Sequence, residues 1–336
     1  MERSFYPIKI CGKYGYIDNS GEICIPATFD YAEEFNGKFA IVSKGDKFDF
    51  INNKGDLAVD IRYDDVYDFT EGLAEIEVNN KKGYVDELGN LVIEPKYDDT
   101  NGFSEGMAAV KLGYKWGYIN KNDEMIIEPK YLGVFNFSEG LALVQLGGKL
   151  GYIDNKGNQV IEPKYNYAYG FSEGLAAVSM NNKYGYIDTK GNIVILPIYS
   201  EGNDFSEGLA AVEIKGKYGF INKKGDMIIQ PKYDWVDSFY KGFAAVAIEN
   251  KYGFIDKYGI EVIKVEFDNV DVIDDNLISV EVKGKWGYIN RRGDFVIEPI
   301  YDEVSRFING VAKVIYKNRL KYINTLGESI WEFHKI

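Results

Sequence analysis

The sequence predicts an all-β protein made of tandem repeats. A six-residue motif recurs at a constant spacing of 34, the runs between its turns are short and rich in Ile, Val, Tyr and Phe, and no apolar stretch follows a helical period. The motif reads Lys115-Trp116-Gly117-Tyr118-Ile119-Asn120 in its fourth copy, and its opening basic residue stands at 13, 47, 81, 115, 149, 183, 217, 251, 285 and 319. A fixed period in this range marks a repeat architecture. Short β-branched and aromatic runs bounded by Gly, Asn and Asp read as strands. Without a 3.6-residue apolar period, no helix longer than a turn is expected. The period is unbroken, so residues 1–336 read as one repeat domain without a linker.

The first unit opens with Ser4-Phe5-Tyr6-Pro7-Ile8-Lys9-Ile10, turns at Gly12 and enters Lys13-Tyr14-Gly15-Tyr16-Ile17-Asp18. A second turn, Asn19-Ser20-Gly21, leads to Glu22-Ile23-Cys24-Ile25-Pro26. The fourth unit repeats the plan with runs at 106–111, 116–120 and 125–127, three strands in all. Side chains alternate across a strand, so Trp116 and Tyr118 share one face and Lys115, Gly117 and Ile119 the other. The first aromatic position lapses to Lys82, Leu150 and Leu320, whereas the second is aromatic in all ten units. Glycine between them leaves room for a backbone or ring to approach closely. The rings of consecutive units are expected to stack into a buried spine.

The turn after the motif places Asp or Asn first and Gly last, as in Asp154-Asn155-Lys156-Gly157. This order suits a type I turn closed by a left-handed glycine, with the Asx oxygen accepting backbone N–H groups. Asp123 stands where other units have that glycine, and Asp tolerates the left-handed region. Units are joined by Pro95-Lys96-Tyr97-Asp98, four variable residues, then Phe103-Ser104-Glu105-Gly106. The Tyr and Phe read as buried anchors, and the Ala that follows in Leu175-Ala176 or Leu209-Ala210 as a tight packing point.

Ten whole three-stranded antiparallel meanders fit the chain, and the tenth is atypical, with Leu320-Lys321 for the aromatic-glycine pair and an added Trp331. Atypical ends cap open stacks. Propeller blades have four strands and usually ~40–45 residues. The expectation is therefore an open, solenoid-like superhelical β-array, with a closed propeller-like ring as the alternative.

A net charge of −13 argues against nucleic acid and an anionic membrane surface. Cys11 and Cys24 occupy non-equivalent positions, giving no disulfide framework, and read as reduced. No secretory leader follows Met1-Glu2-Arg3 and no run is long enough for a membrane-spanning helix, which points to the cytoplasm.

These motifs resemble those of the WG-repeat (KWG-type) proteins of bacteria. Lys115 to Asn120, Ile126-Ile127-Glu128-Pro129 and Phe137-Ser138-Glu139-Gly140-Leu141-Ala142 follow the family's unit almost letter for letter, and the likeness spans essentially the whole chain. It implies a β-rich scaffold and, since the family shares no catalytic motif, no particular activity. Departures stand at Lys82, at Asp49 for the motif glycine, and at Ile273-Asp274-Asp275-Asn276 for Phe-Ser-Glu-Gly.

Chemistry is sparse. The sole histidine, His334, lies three residues from the end, so no Ser-His-Asp or Cys-His unit is expected. Metal-ligand spacing and phosphate loops are absent, and no cofactor is expected. The row Glu71, Glu105, Glu139, Glu173 and Glu207 reads as a solvated row partly countered by lysines such as Lys96 and Lys130 rather than as a cation or sugar ladder. The Asp/Asn row of the turns reads as turn caps, not calcium ligands. Asp268, Asp271, Asp274 and Asp275 form the densest acidic run, where a basic partner could dock. Six aromatics stand in the variable connectors: Tyr31, Tyr67, Phe135, Tyr167, Tyr169 and Trp235. Surface connectors should be polar, so these rings are an excess that a binding surface would explain. The expectation is a non-enzymatic scaffold that binds a protein partner over several repeats. The alternative is a glycan-binding array using exposed rings and carboxylates.

Overall fold

The structure, a computed structural model, describes residues 4–57, 63–271 and 277–332. Every regular element among them is a strand, arranged in ten small antiparallel sheets. The chain divides into two compact units, Met1–Gly170 and Phe171–Ile336, with five sheets in each. Asp274, Asp275, His334 and the first three residues fall outside the described residues.

The fourth unit shows how one sheet is built. Met107–Leu112, Lys115–Asn120 and Met125–Tyr131 are the three expected strands. A fourth, Asp99–Thr100, precedes them and pairs Asp99 with Lys111 and Thr100 with Val110. It consists of the first two variable connector residues, and eight of the ten sheets contain its equivalent, Tyr31–Ala32 among them. Four strands make a propeller blade. The architecture is thus the propeller-like alternative, neither an open superhelical array of three-stranded meanders nor a solenoid. Two residues are too few to show alternation, which is why this strand does not register in the sequence pattern.

In eight units the strand after the motif is bulged. Trp116 pairs with Tyr131 and Tyr118 with Ile127, so Glu128-Pro129-Lys130 stands opposite Gly117 alone. The bulge pushes backbone toward the motif strand. A Cβ on the equivalent Gly151 would lie 2.6 Å from both the Ile161 carbonyl oxygen and the Pro163 nitrogen. Proline suits the bulge because it has no N–H to donate to the ladder. Unit ten, lacking both Gly and Pro, runs in register instead, with Lys321 opposite Glu332 and Tyr322 opposite Trp331. The motif glycine makes the room for the bulge, which unit eight keeps with Val265 in place of the proline.

The second motif aromatic is buried in all ten units. Its ring meets the connector Phe 19 residues on, edge to face: Tyr118–Phe137 at 5.0 Å and Phe220–Phe239 at 4.8 Å. Each of these motif rings therefore packs on a connector ring, and no described contact joins motif rings of consecutive units into the expected stack. The connector Tyr and Phe anchors (Tyr97, Phe103) and the small Ala (Ala108, Ala176, Ala210) are buried as expected. Cys11 is exposed and Cys24 half-buried, and neither forms a disulfide.

Candidate binding surface in the connectors

The preceding motif pins the connectors at one or both ends; where the motif aromatic is Phe50, Phe220 or Phe254 only the lysine pin is made, and where Leu132 replaces the aspartate only the tyrosine pin. The motif lysine reaches the aspartate 17 residues on: Lys81 to Asp98 and Lys251 to Asp268, each at 2.5 Å. The same aspartate accepts a backbone N–H from the next hairpin, Gly113 to Asp98 at 2.6 Å. The lysine ammonium first, then that N–H, holds Asp98 below the usual carboxylate range, and Asp268 likewise. The motif tyrosine makes the second pin. Tyr84, Tyr118, Tyr152 and Tyr288 donate their hydroxyls to the carbonyls of Asn101, Phe135, Tyr169 and Ser305, again 17 residues on, at 2.7–2.8 Å. Between these pins the second variable position turns inward, with Ala32, Val66, Thr100 and Val236 buried, while the aromatic residues at the first and third positions are exposed.

All six connector aromatics are partly exposed, from 37% at Tyr67 to 63% at Tyr167. Tyr31, Tyr167 and Trp235 share the first variable position, and Tyr67, Phe135 and Tyr169 the third. Tyr31 packs near Tyr14 and Phe48, at 6.3 and 6.0 Å, and its hydroxyl donates to Glu33 at 2.7 Å, which pushes its pKa up to about 12. Tyr67 lies 4.6 Å beneath the Lys82 ammonium, so the lysine that displaces a motif aromatic still covers a ring. Trp235 meets Tyr252 edge-on at 5.8 Å.

Trp235 and the exposed Asp271 line one cleft of about 190 Å³ within the second compact unit, together with Asp237, Tyr240, Phe243 and Phe254. The last four were not singled out in the sequence. Their signal was present, since Phe239-Tyr240-Lys241-Gly242-Phe243 breaks the Phe-Ser-Glu-Gly-Leu pattern. Of the acidic run, Asp268 is countered by Lys251, Asp271 sits at the cleft, and Asp274 and Asp275 are outside the described residues.

The glutamate row has a specific task. Glu71, Glu105, Glu173 and Glu207 occupy the left-handed position of the Ser-Glu-Gly hairpin turn, φ 49–54°. Each carboxylate accepts the turn glycine N–H of the next unit, as Glu105 does from Gly140 at 2.9 Å and Glu207 from Gly242 at 3.0 Å. The paired cations are Lys121, Lys223 and Lys257, at 2.9–3.1 Å from Glu71, Glu173 and Glu207, rather than the lysines of the Pro-Lys-Tyr strand. Lys96 instead pairs with Asp123. The Asx turns are capped as expected: Asp154 Oδ1 accepts from Lys156 and Asn158 at 2.9 and 2.8 Å, and Asp123 is left-handed at φ 62°. Among the described residues no group of three or more His, Cys, Asp or Glu could hold a metal ion, and no helix is long and apolar enough to cross a membrane.

Among curated proteins none matches the chain in sequence. In structure it is similar to a protein described as the eukaryotic initiation factor, with TM-score 0.60 and 9% identity over 99% of this chain and 96% of the other. Kluyveromyces lactis Hsv2p has TM-score 0.39 and 14% identity over 66% of this chain and 90% of its own. The dihydro-heme d1 dehydrogenase NirN has TM-score 0.43 and 14% identity over 88% and 72%. At these identities the first likeness speaks to the fold alone. The family described as WG containing repeat matches residues 14–48, 50–81, 83–116, 116–149, 151–184, 184–218, 218–252, 252–286 and 286–319. With its motif tiled nine times from end to end, the chain belongs to the WG-repeat family.

Proposed function

We propose that this repeat scaffold binds a protein partner through its connectors and performs no catalysis itself, in a bacterial cytoplasm. The observation that carries this reading is the split among the aromatics. Rings that recur in every unit are buried, whereas the six that vary between units are all exposed, on backbone tied to the preceding motif by its lysine, its tyrosine or both. Exposed Tyr and Trp on a rigid support are the residue types that dominate protein interfaces. The net charge of −13 favours a basic partner over nucleic acid.

The glycan reading has less support. Sugar-stacking along a repeat calls for rings at regular spacing, and the first variable position is Asp65, Asp99, Gly133 and Glu201 in the intervening units. The test is affinity capture from the source cell with Tyr169→Ala combined with Trp235→Ala, against the exposed control Lys156→Ala. A specific protein retained by the control and lost by the double variant, with the melting midpoint unchanged, is the expected result. A large fall in stability would make the rings core, and capture unaffected by the double variant would move the site elsewhere.

A further inference from the structure

The repeat changes three positions at once at 239–243, and it also departs from its pattern at 35–39 and 307–311. Where 205–209 read Phe-Ser-Glu-Gly-Leu, 239–243 read Phe-Tyr-Lys-Gly-Phe. At the serine position Ser172 and Ser206 donate Oγ–H to the carbonyls of Phe205 and Phe239, both at 2.7 Å. Tyr240 stands in that place with a half-exposed ring, and it walls the cleft already described. Among the stretches that depart from the unit's pattern, this one sets two large rings, Tyr240 and Phe243, in the wall of a cavity.

We propose that this cleft holds an organic cation, namely a lysine or arginine side chain presented by the protein partner. The inference rests on the scaffold reading above and gives the partner's contact its chemistry. Four rings, Trp235, Tyr240, Phe243 and Phe254, line the cleft, and aromatic faces attract cations. Asp237 and Asp271 supply carboxylates to the same cavity, and no basic residue is among the described residues that line it. Two of the rings already engage cations of this chain: the Arg291 guanidinium lies 5.1 Å from the Phe243 ring centre and the Lys241 ammonium 5.2 Å from that of Tyr240. At about 190 Å³ the cleft is smaller than the ~300–1,000 Å³ of small-molecule sites, a size for one side chain rather than a cofactor.

The experiment labels the four tryptophans with 5-fluorotryptophan and assigns the Trp235 resonance by Trp235→Phe. The full chain is titrated by fluorine NMR with n-butylammonium and n-butylguanidinium, and in parallel with neutral n-butanol and glucose. Both cations should shift the Trp235 resonance saturably, and the neutral probes should not. Asp237→Asn with Asp271→Asn should weaken cation binding tenfold or more. If the double variant does not fold, Asp237→Asn alone should still weaken it several-fold. Equal shifts from n-butanol, a response to glucose alone, or full cation affinity without the aspartates would each overturn the proposal. Partner capture is scored separately. A partner captured through Tyr169 with no cation response sinks only this inference, whereas a cation response with no partner sinks only the scaffold reading.

Discussion

At Gly117 a single methyl group would have nowhere to go, because the backbone of the Glu128-Pro129-Lys130 bulge closes on that side of the strand. The constraint is backbone against backbone, so no rotamer change relieves it. Gly117→Val is expected to cost several kcal/mol, above the ~1–3 kcal/mol typical of overpacked side chains, and chemical denaturation would measure it. An unchanged midpoint would mean that the bulge can retreat. The neighbouring Tyr118 separates packing from hydrogen bonding. Its buried ring faces Phe137 while its hydroxyl donates to the Phe135 carbonyl, and Phe220 and Phe254 hold the equivalent place without a hydroxyl. Tyr118→Phe should therefore cost only ~1 kcal/mol, the net value of one hydrogen bond. A loss as large as that of Tyr118→Ala would contradict this division.

At the scale of the strand and the connector, the Lys–Asp pins make the fold sensitive to acid. Asp30, Asp64, Asp98, Asp234, Asp268 and Asp302 are all held below the usual carboxylate range, chiefly by their lysines. A carboxylate depressed in the folded state stabilises above its unfolded pKa of ~3.9 and loses that contribution as pH falls through the lower folded value. The melting midpoint should thus be flat near neutrality and drop from about pH 4 downward, more gently in Asp98→Asn than in the parent chain. A midpoint independent of pH between 5 and 2 would show the pins to be energetically idle.

The same elements show what the sequence made legible. Strands of six or seven residues, the Asx turns and the buried second aromatic could all be read, because alternation and turn chemistry are local. The two-residue strand Asp99–Thr100 could not be, since only its pairing with Lys111 and Val110 identifies it. The connector rings are legible because they occupy positions that vary from unit to unit. Tyr240 and Phe243 are not, because aromatic residues are common throughout this chain and only the cleft, a tertiary feature, brings them together with Trp235 and Asp271.

Across the molecule, the repeat assigns stability to the positions that recur and leaves the others to recognition. Tyr167→Ala with Tyr169→Ala removes two exposed rings, so it should shift stability by only about 0.5 kcal/mol per site. A loss of several kcal/mol would show that the connectors hold the sheets together through those rings and are not free for a partner.

The ties between units also fix how the chain can change length. Lysine to aspartate and tyrosine to carbonyl both span 17 residues, half the spacing of the motif, and the glutamate caps span 35. A cut that removes one full period, 183–216, joins Asn182 to Lys217 and leaves every such tie in step, with Glu173 now placed to cap Gly242 in place of Gly208. Removing 183–212 instead would put every later partner out of register with those before it. The gene can therefore gain or lose whole words but not letters: the 34-residue deletion should still unfold cooperatively with its β-sheet circular dichroism intact, and the 30-residue deletion should not. Partner-contacting connectors could then be shuffled as complete cassettes while the hydrogen bonds that read their length stay the same.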